Sequence, residues 1–141
     1  MQKTISHLLT AAAALVLTGC AVPVYVPAAN EVLAPVKMYG LGAPIICVNG
    51  KSYSPPASKM ADAIAVPTGS RVSLVKKMVF DGGNVTSICQ AQLSFMPKAG
   101  NVYVSNAGLI DRQCFIELVR EDPSKETGVS IEPSVGPSLC Q

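Results

Sequence analysis

The chain contains no tryptophan, only three phenylalanines, and a single histidine, His7. Beyond position 7 there is no imidazole. Ser-His-Asp and Cys-His activation of a nucleophile are therefore excluded there in their usual form, as are zinc sites that use histidine. Charged residues make up 14% of the sequence, and the formal net charge is +2. There is no basic block and no interleaving of basic with aromatic residues, so nucleic acid has no electrostatic footprint to follow. Lys76-Lys77 is the one basic doublet, read as part of a solvated strand edge. No Cys-x-x-Cys pair occurs, which removes the usual signals of a redox centre or a cysteine metal knuckle. Nor is there an apolar run of the roughly 20 residues a membrane-crossing helix needs.

What the first twenty residues do contain is specific. Lys3 supplies a positive start, a mostly apolar stretch runs from Ile5 to Leu17, and small residues close it. A charged start, a short apolar middle and a small-residue end are the three parts of a secretory signal. The end of the run, Leu17-Thr18-Gly19-Cys20, resembles the lipobox of bacterial lipoproteins. The resemblance implies that Cys20 takes a diacylglyceryl thioether, that a signal helix spanning 1–19 is cut off before it, and that the new amino terminus is then acylated. Two or more acyl chains anchor firmly, each buried methylene contributing about 0.8 kcal/mol. Ala21 stands where inner-membrane lipoproteins of Gram-negative bacteria tend to carry aspartate. The resemblance therefore implies an outer-membrane, lipid-anchored location in the cell envelope, facing the periplasm or the surface.

Cleavage before Cys20 leaves 20–141, the size of one ordinary domain, with ten Lys and Arg against nine Asp and Glu. With Cys20 assigned to lipid, four cysteines remain: Cys47, Cys89, Cys114 and Cys140. An even number in an exported chain of this size implies two disulfides.

Residues 20–44 read as a lipidated amino terminus followed by a tether, with prolines at 23, 27, 35 and 44 and glycines at 40 and 42. Such a sequence favours extended backbone, and about 20 semi-extended residues would hold a domain some tens of ångströms off the bilayer. From 45 to 141 the pattern becomes strand, turn, strand. Ile45 to Val48 meets Asn49-Gly50, the strongest two-residue hairpin signal. Lys51 to Tyr53 returns, Ser54-Pro55-Pro56 stops it, and Ala57 to Ala61 is expected to make one helical turn. Ala63 to Val66 is a further strand. Arg71 to Phe80 and Val85 to Phe95 alternate with a period of two, the mark of half-buried strands, around a turn at Asp81-Gly82-Gly83-Asn84. Val102 to Val104 and Cys114 to Val119 follow, with a turn expected at Asn106-Ala107-Gly108. A polar loop spans Arg120 to Gly128, and Val129 to Ile131 closes the series.

Six to eight short strands with almost no helical periodicity predict an all-β domain, a small antiparallel β-sandwich or barrel. Alternation places Cys89 with Leu93 and Phe95, and Cys114 with Ile116 and Leu118, each set facing the core. Of the three possible pairings this favours Cys89–Cys114 with Cys47–Cys140. The stretches Ile64 to Leu74 and Phe95 to Val104 resemble the strand phrasing of small immunoglobulin-like and carboxypeptidase-regulatory-like β-modules, which carry no functional residues to transfer. Asp62, Asp81 and Asp111 fall where turns are expected, so turn chemistry rather than acid–base catalysis accounts for them. Lys51-Ser52-Tyr53-Ser54, the one cluster of nucleophile-like side chains, reads as a hairpin return strand. Asn84-Val85-Thr86 matches a glycosylation sequon by chance.

The expectation is therefore a non-enzymatic envelope lipoprotein with no cofactor and no metal, a binding or accessory module whose exposed edges accept a strand from an envelope protein. The alternative is an inhibitor or protective protein that blocks an envelope enzyme with a loop, at 54–62 or 120–128.

Overall fold

The computed structural model describes residues 21–140, so the leader, Cys20 and the expected signal helix lie outside the described residues. Nine strands follow one another: β1 (Leu33–Gly40), β2 (Ala43–Val48), β3 (Lys51–Tyr53), β4 (Ala63–Pro67), β5 (Val72–Asp81), β6 (Thr86–Phe95), β7 (Tyr103–Ile110), β8 (Gln113–Glu121) and β9 (Val129–Ile131). They form two sheets, one in the order β4-β1-β7-β8-β9 and the other β3-β2-β5-β6. The domain is all-β, as the alternation requires.

The sheets face each other across a dry core. Ala34, Val36, Val66, Tyr103 and Leu118 come from the first sheet, and Ile46, Leu74, Leu93 and Phe95 from the second. Phe95 meets Tyr103 edge to face across the gap, ring centroids 4.9 Å apart, a geometry that adds about 1 kcal/mol to simple burial. The Tyr103 hydroxyl, fully enclosed, accepts a hydrogen bond from the Lys98 amide at 2.9 Å. In β5 the even positions Val72, Leu74 and Met78 are buried, as the period of two demands. Lys76 is buried as well, which corrects the reading of Lys76-Lys77 as a solvated strand edge: β5 is a central strand, and of the two lysines only Lys77 is exposed. Ser73 and Val75 on the opposite face are buried too. The C-terminal tail explains Ser73: the Leu139 amide donates to its hydroxyl at 2.9 Å, and Gly136 pairs with Ser94 of the neighbouring strand.

Three further sequence expectations are corrected. The segment 33–44 is not tether. β1 and the start of β2 occupy it, and β1 lies between β4 and β7. Its Pro35 sits where β1 has only β4 beside it, because pairing with β7 begins at Val36. Pro44 likewise sits where β2 has only β5 beside it. At such positions a missing N–H removes no ladder bond on the empty side. Second, the architecture is not purely antiparallel: β1 and β7 run parallel, with Val36 opposite Tyr103 and Gly40 opposite Ala107. Third, Asn106-Ala107-Gly108 is not a turn but the middle of β7. A Cβ on Gly108 would stand 3.0 Å from the Phe115 ring, tighter than ordinary packing, so a residue without a side chain suits this strand position. The chain reverses instead at Asp111-Arg112, with φ of 50° and 65°.

Smaller differences have similar causes. Ala57 to Ala61 makes no helical turn, since Ala57 bridges Ile64 and the Ala65 amide donates to Pro56. Arg120 and Glu121 extend β8, where Glu121 receives an ion-pair contact from Lys37. That contact raises the lysine's pKa.

The N-terminal residues of the described chain are also pinned. Ser54 donates to the Pro23 carbonyl at 2.8 Å, and Tyr25 donates to the Ser54 carbonyl at 2.9 Å. The Tyr25 ring packs edge to face on Tyr53, centroids 5.3 Å apart. Its hydroxyl donates to the Glu31 carboxylate at 2.8 Å. Burial, with the Glu31 contact added, pushes that phenol up to about 12.

Candidate functional site

The two ends of the sandwich differ in character. At the base end, Asn49-Gly50, Phe95 and Tyr103 close the core under turns. At the other, here called the hairpin end, the β5–β6 and β7–β8 turns stand side by side with apolar side chains exposed. Val79 and Ile88 are cross-strand partners on the outer face of their sheet, exposed by 60% and 62%, and Ile110 is 61% exposed. On the inner side, Phe80, Ser87, Leu109 and Arg112 line a cleft of about 420 Å³ with Ile88 and Cys89. Exposed apolar residues standing singly, as Ile110 does on the other sheet, are ordinary, but the neighbouring Val79–Ile88 pair offers an apolar contact surface.

Two features of this end reinforce that meaning. The first is Arg112. Its φ of 65° is left-handed, as is the 50° of Asp111, the pair that a tight hairpin of the mirror-image type needs. Such turns favour Asn-Gly. A long side chain there costs about 1 kcal/mol, and retained strain concentrates at functional positions. Among the described residues no carboxylate lies within ion-pair distance of the Arg112 guanidinium.

The second is the outer edge of β6. Most other sheet edges are covered or short. Pro23 and Tyr25 pair with Ser54 just past the end of β3, Ala57 bridges Ile64 of β4, and β9 has three residues. On β6 the tail covers only the Ser94 end. Thr86 to Gln92 has β5 on one side, and among the described residues no backbone pairs with the other. This run, Thr-Ser-Ile-Cys-Gln-Ala-Gln, holds neither charge nor proline. Those are the devices that natural sheets use to blunt an edge.

The sequence-predicted cysteines fall into two groups. Cys89 and Cys114 come to disulfide distance at the hairpin end, Cα atoms 6.1 Å apart, joining β6 of one sheet to β8 of the other. Cys47 and Cys140 do the same on the outer face of β2, Cα atoms 5.8 Å apart. Cys20 lies outside the described residues. Alternation located the first pair. Nothing in the sequence announced the hairpin-end cleft, because its apolar members sit far apart in the chain, at 80, 88 and 109.

A second groove, of about 380 Å³, runs between Glu31, Pro35, Ser58 and Lys59. The loop 54–62 on its rim is held down by pairing with β4. Two buried polar atoms, Ser105 Oγ and Glu132 Oε2, lack a partner, and neither lines a cleft. Among the described residues no cluster of three or more His, Cys, Asp or Glu could hold a metal ion. Set against protein-family models, curated proteins and solved structures, the chain matches none significantly.

Proposed function

We propose that this protein is a lipid-anchored module of the bacterial envelope, held to the outer membrane through Cys20, which binds a partner protein without catalysing a reaction. The lipobox-like Leu17-Thr18-Gly19-Cys20 supports the anchor. Two cysteine pairs at disulfide distance suit an oxidising, extracytoplasmic compartment. Two packed sheets with a cysteine pair between them support kinship with immunoglobulin-like modules, though the parallel β1–β7 contact is a departure from a purely antiparallel sandwich.

The single observation that carries the binding role is the bare, uncharged edge of β6 beside the exposed Val79–Ile88 pair. An extended segment of a partner can add to that edge through main-chain hydrogen bonds, its alternate side chains entering the hairpin-end cleft or lying on Ile88. The partner is thus an envelope protein that offers an apolar strand.

Photo-crosslinking in cells tests this. A photoreactive phenylalanine analogue at Ile88 should give a discrete adduct with an envelope protein, and the same probe at Lys98, at the base end, should not. Ile88→Lys should abolish complex formation while leaving the melting temperature unchanged, since charge on an edge blocks strand addition. Absence of an adduct at Ile88, or an adduct indifferent to the lysine, contradicts the reading.

A further inference from the structure

The way the first described residues are held bears on where the domain sits. Pro23 and Tyr25 are bonded to Ser54, so the extended segment runs parallel to the chain just past the end of β3. Between the lipobox cysteine and that pinned segment stand only Ala21 and Val22. Three residues span at most about 10 Å. The free tether that the proline content suggested is almost absent.

The side chains alternate along this segment. Tyr25 turns inward against the core with Tyr53. Val22, Val24 and Val26 share the other face, exposed by 40%, 61% and 82%. Leu139, 60% exposed, lies on the tail that Cys47–Cys140 clips to the outer face of the same sheet. From Ala21 to Asn30 there is no charged residue, so contact with an apolar surface would desolvate no ion.

We infer that the stripe Val22, Val24, Val26 and Leu139 is a bilayer-contact face, on which the domain lies flush with the outer face of its β3-β2-β5-β6 sheet toward the membrane and its other sheet toward the water. The inference rests on the anchor reading: the occupant follows from the two-residue link between this stripe and the acylated residue. Ile110, 61% exposed, lies on the other sheet and so on the far side of the sandwich from the stripe. The anchor and the open β6 edge also occupy opposite edges of one four-stranded sheet. A partner meeting β6 would therefore approach along the membrane surface, at the edge away from the anchor.

Because the chain has no tryptophan, single tryptophans make clean probes. Full-length protein would be extracted from membranes, shown by intact mass to be acylated, and reconstituted in phosphatidylethanolamine/phosphatidylglycerol vesicles containing brominated lipid. Val24→Trp and Val26→Trp fluorescence should be quenched at least twofold more than Ile110→Trp fluorescence. Inserting ten Gly/Ser residues between Ala21 and Val22 should erase the difference. Equal quenching at all three positions in acylated protein, stronger quenching at 110, or no effect of the insertion overturns the flush orientation while leaving the anchor standing. An unmodified Cys20 in the mass spectrum overturns both.

Discussion

Cys89 on β6 and Cys114 on β8 stand with their Cα atoms 6.1 Å apart, and they tie the two sheets together directly beneath the exposed hairpin end. The pair closes a loop of 25 residues, whereas Cys47 and Cys140 close one of 93. On the chain-entropy view, removing the first as Cys89→Ala/Cys114→Ala should cost about 3.5 kcal/mol, and removing the second about 4.6 kcal/mol. The two should also differ in place. Loss of Cys89–Cys114 should speed amide exchange in the β5–β6 and β7–β8 turns, and loss of Cys47–Cys140 should do so in the tail from Ser134 onward. Denaturant titration with hydrogen-exchange mass spectrometry reads both. Free thiols at all four positions in native protein would contradict this account.

Arg112 holds a left-handed backbone beside the cleft, and that conformation is costly for any residue with a side chain. Arg112→Gly should therefore stabilise the domain by about 0.5–1 kcal/mol, the relief of strain being partly offset by the greater freedom of glycine in the unfolded chain. If the hairpin end binds the proposed partner, the same change should weaken its capture, because the guanidinium leaves the cleft rim. A gain of stability with no loss of binding would assign Arg112 to neither rim nor recognition. Thermal melts and the Ile88 crosslinking yield, measured on one preparation, give the comparison.

Lys76 is 3% exposed on the inner face of β5, and its ammonium donates to the Gly42 carbonyl at 2.9 Å. Burial lowers its pKa. The unfolded chain then holds this proton more tightly than the folded one. Below the folded-state pKa the charged lysine weakens the fold, and the penalty fades as pH rises toward 10.5, the ordinary lysine value. Lys76→Met should accordingly raise stability at neutral pH by about 1 kcal/mol, and the gain over wild type should shrink as pH climbs to 10.5. Tyr25 acts in the opposite sense. Its contribution is complete below pH 10 and is lost as pH rises toward about 12, so only the difference between variant and wild type isolates Lys76. A pH-independent difference would show that the amine is not desolvated.

Much of the strand placement could be read from the chain because burial imposes a period of two. Val72, Leu74 and Met78 place β5, Asn49-Gly50 announces the β2–β3 hairpin, and Cys89 and Cys114 fall on the inward positions of their strands. β1 was hidden because Pro35 and Pro44 carry the composition of a linker. Only the sheet arrangement shows that each occupies a stretch with a single neighbour, where proline is tolerated. The β7–β8 reversal was misplaced for a related reason. Asn106-Ala107-Gly108 has turn-forming residues, yet it forms strand, with Phe115 lying over Gly108 where a side chain would be tightly placed. Asp111-Arg112 carries out the turn without the usual glycine. The open β6 edge was out of reach of local pattern altogether, since being an edge depends on which strands the rest of the chain sends elsewhere.

The proposed location and role depend on the sulfur of Cys20 more than on any strand. Intact-mass spectrometry of the native protein, purified from outer membranes without acid or base treatment, tests this most directly. The account predicts a chain beginning at position 20 and carrying a diacylglyceryl group together with an amide-linked acyl chain. A mass equal to the unmodified polypeptide, or one in which the first nineteen residues remain joined to an unlipidated cysteine, would contradict it.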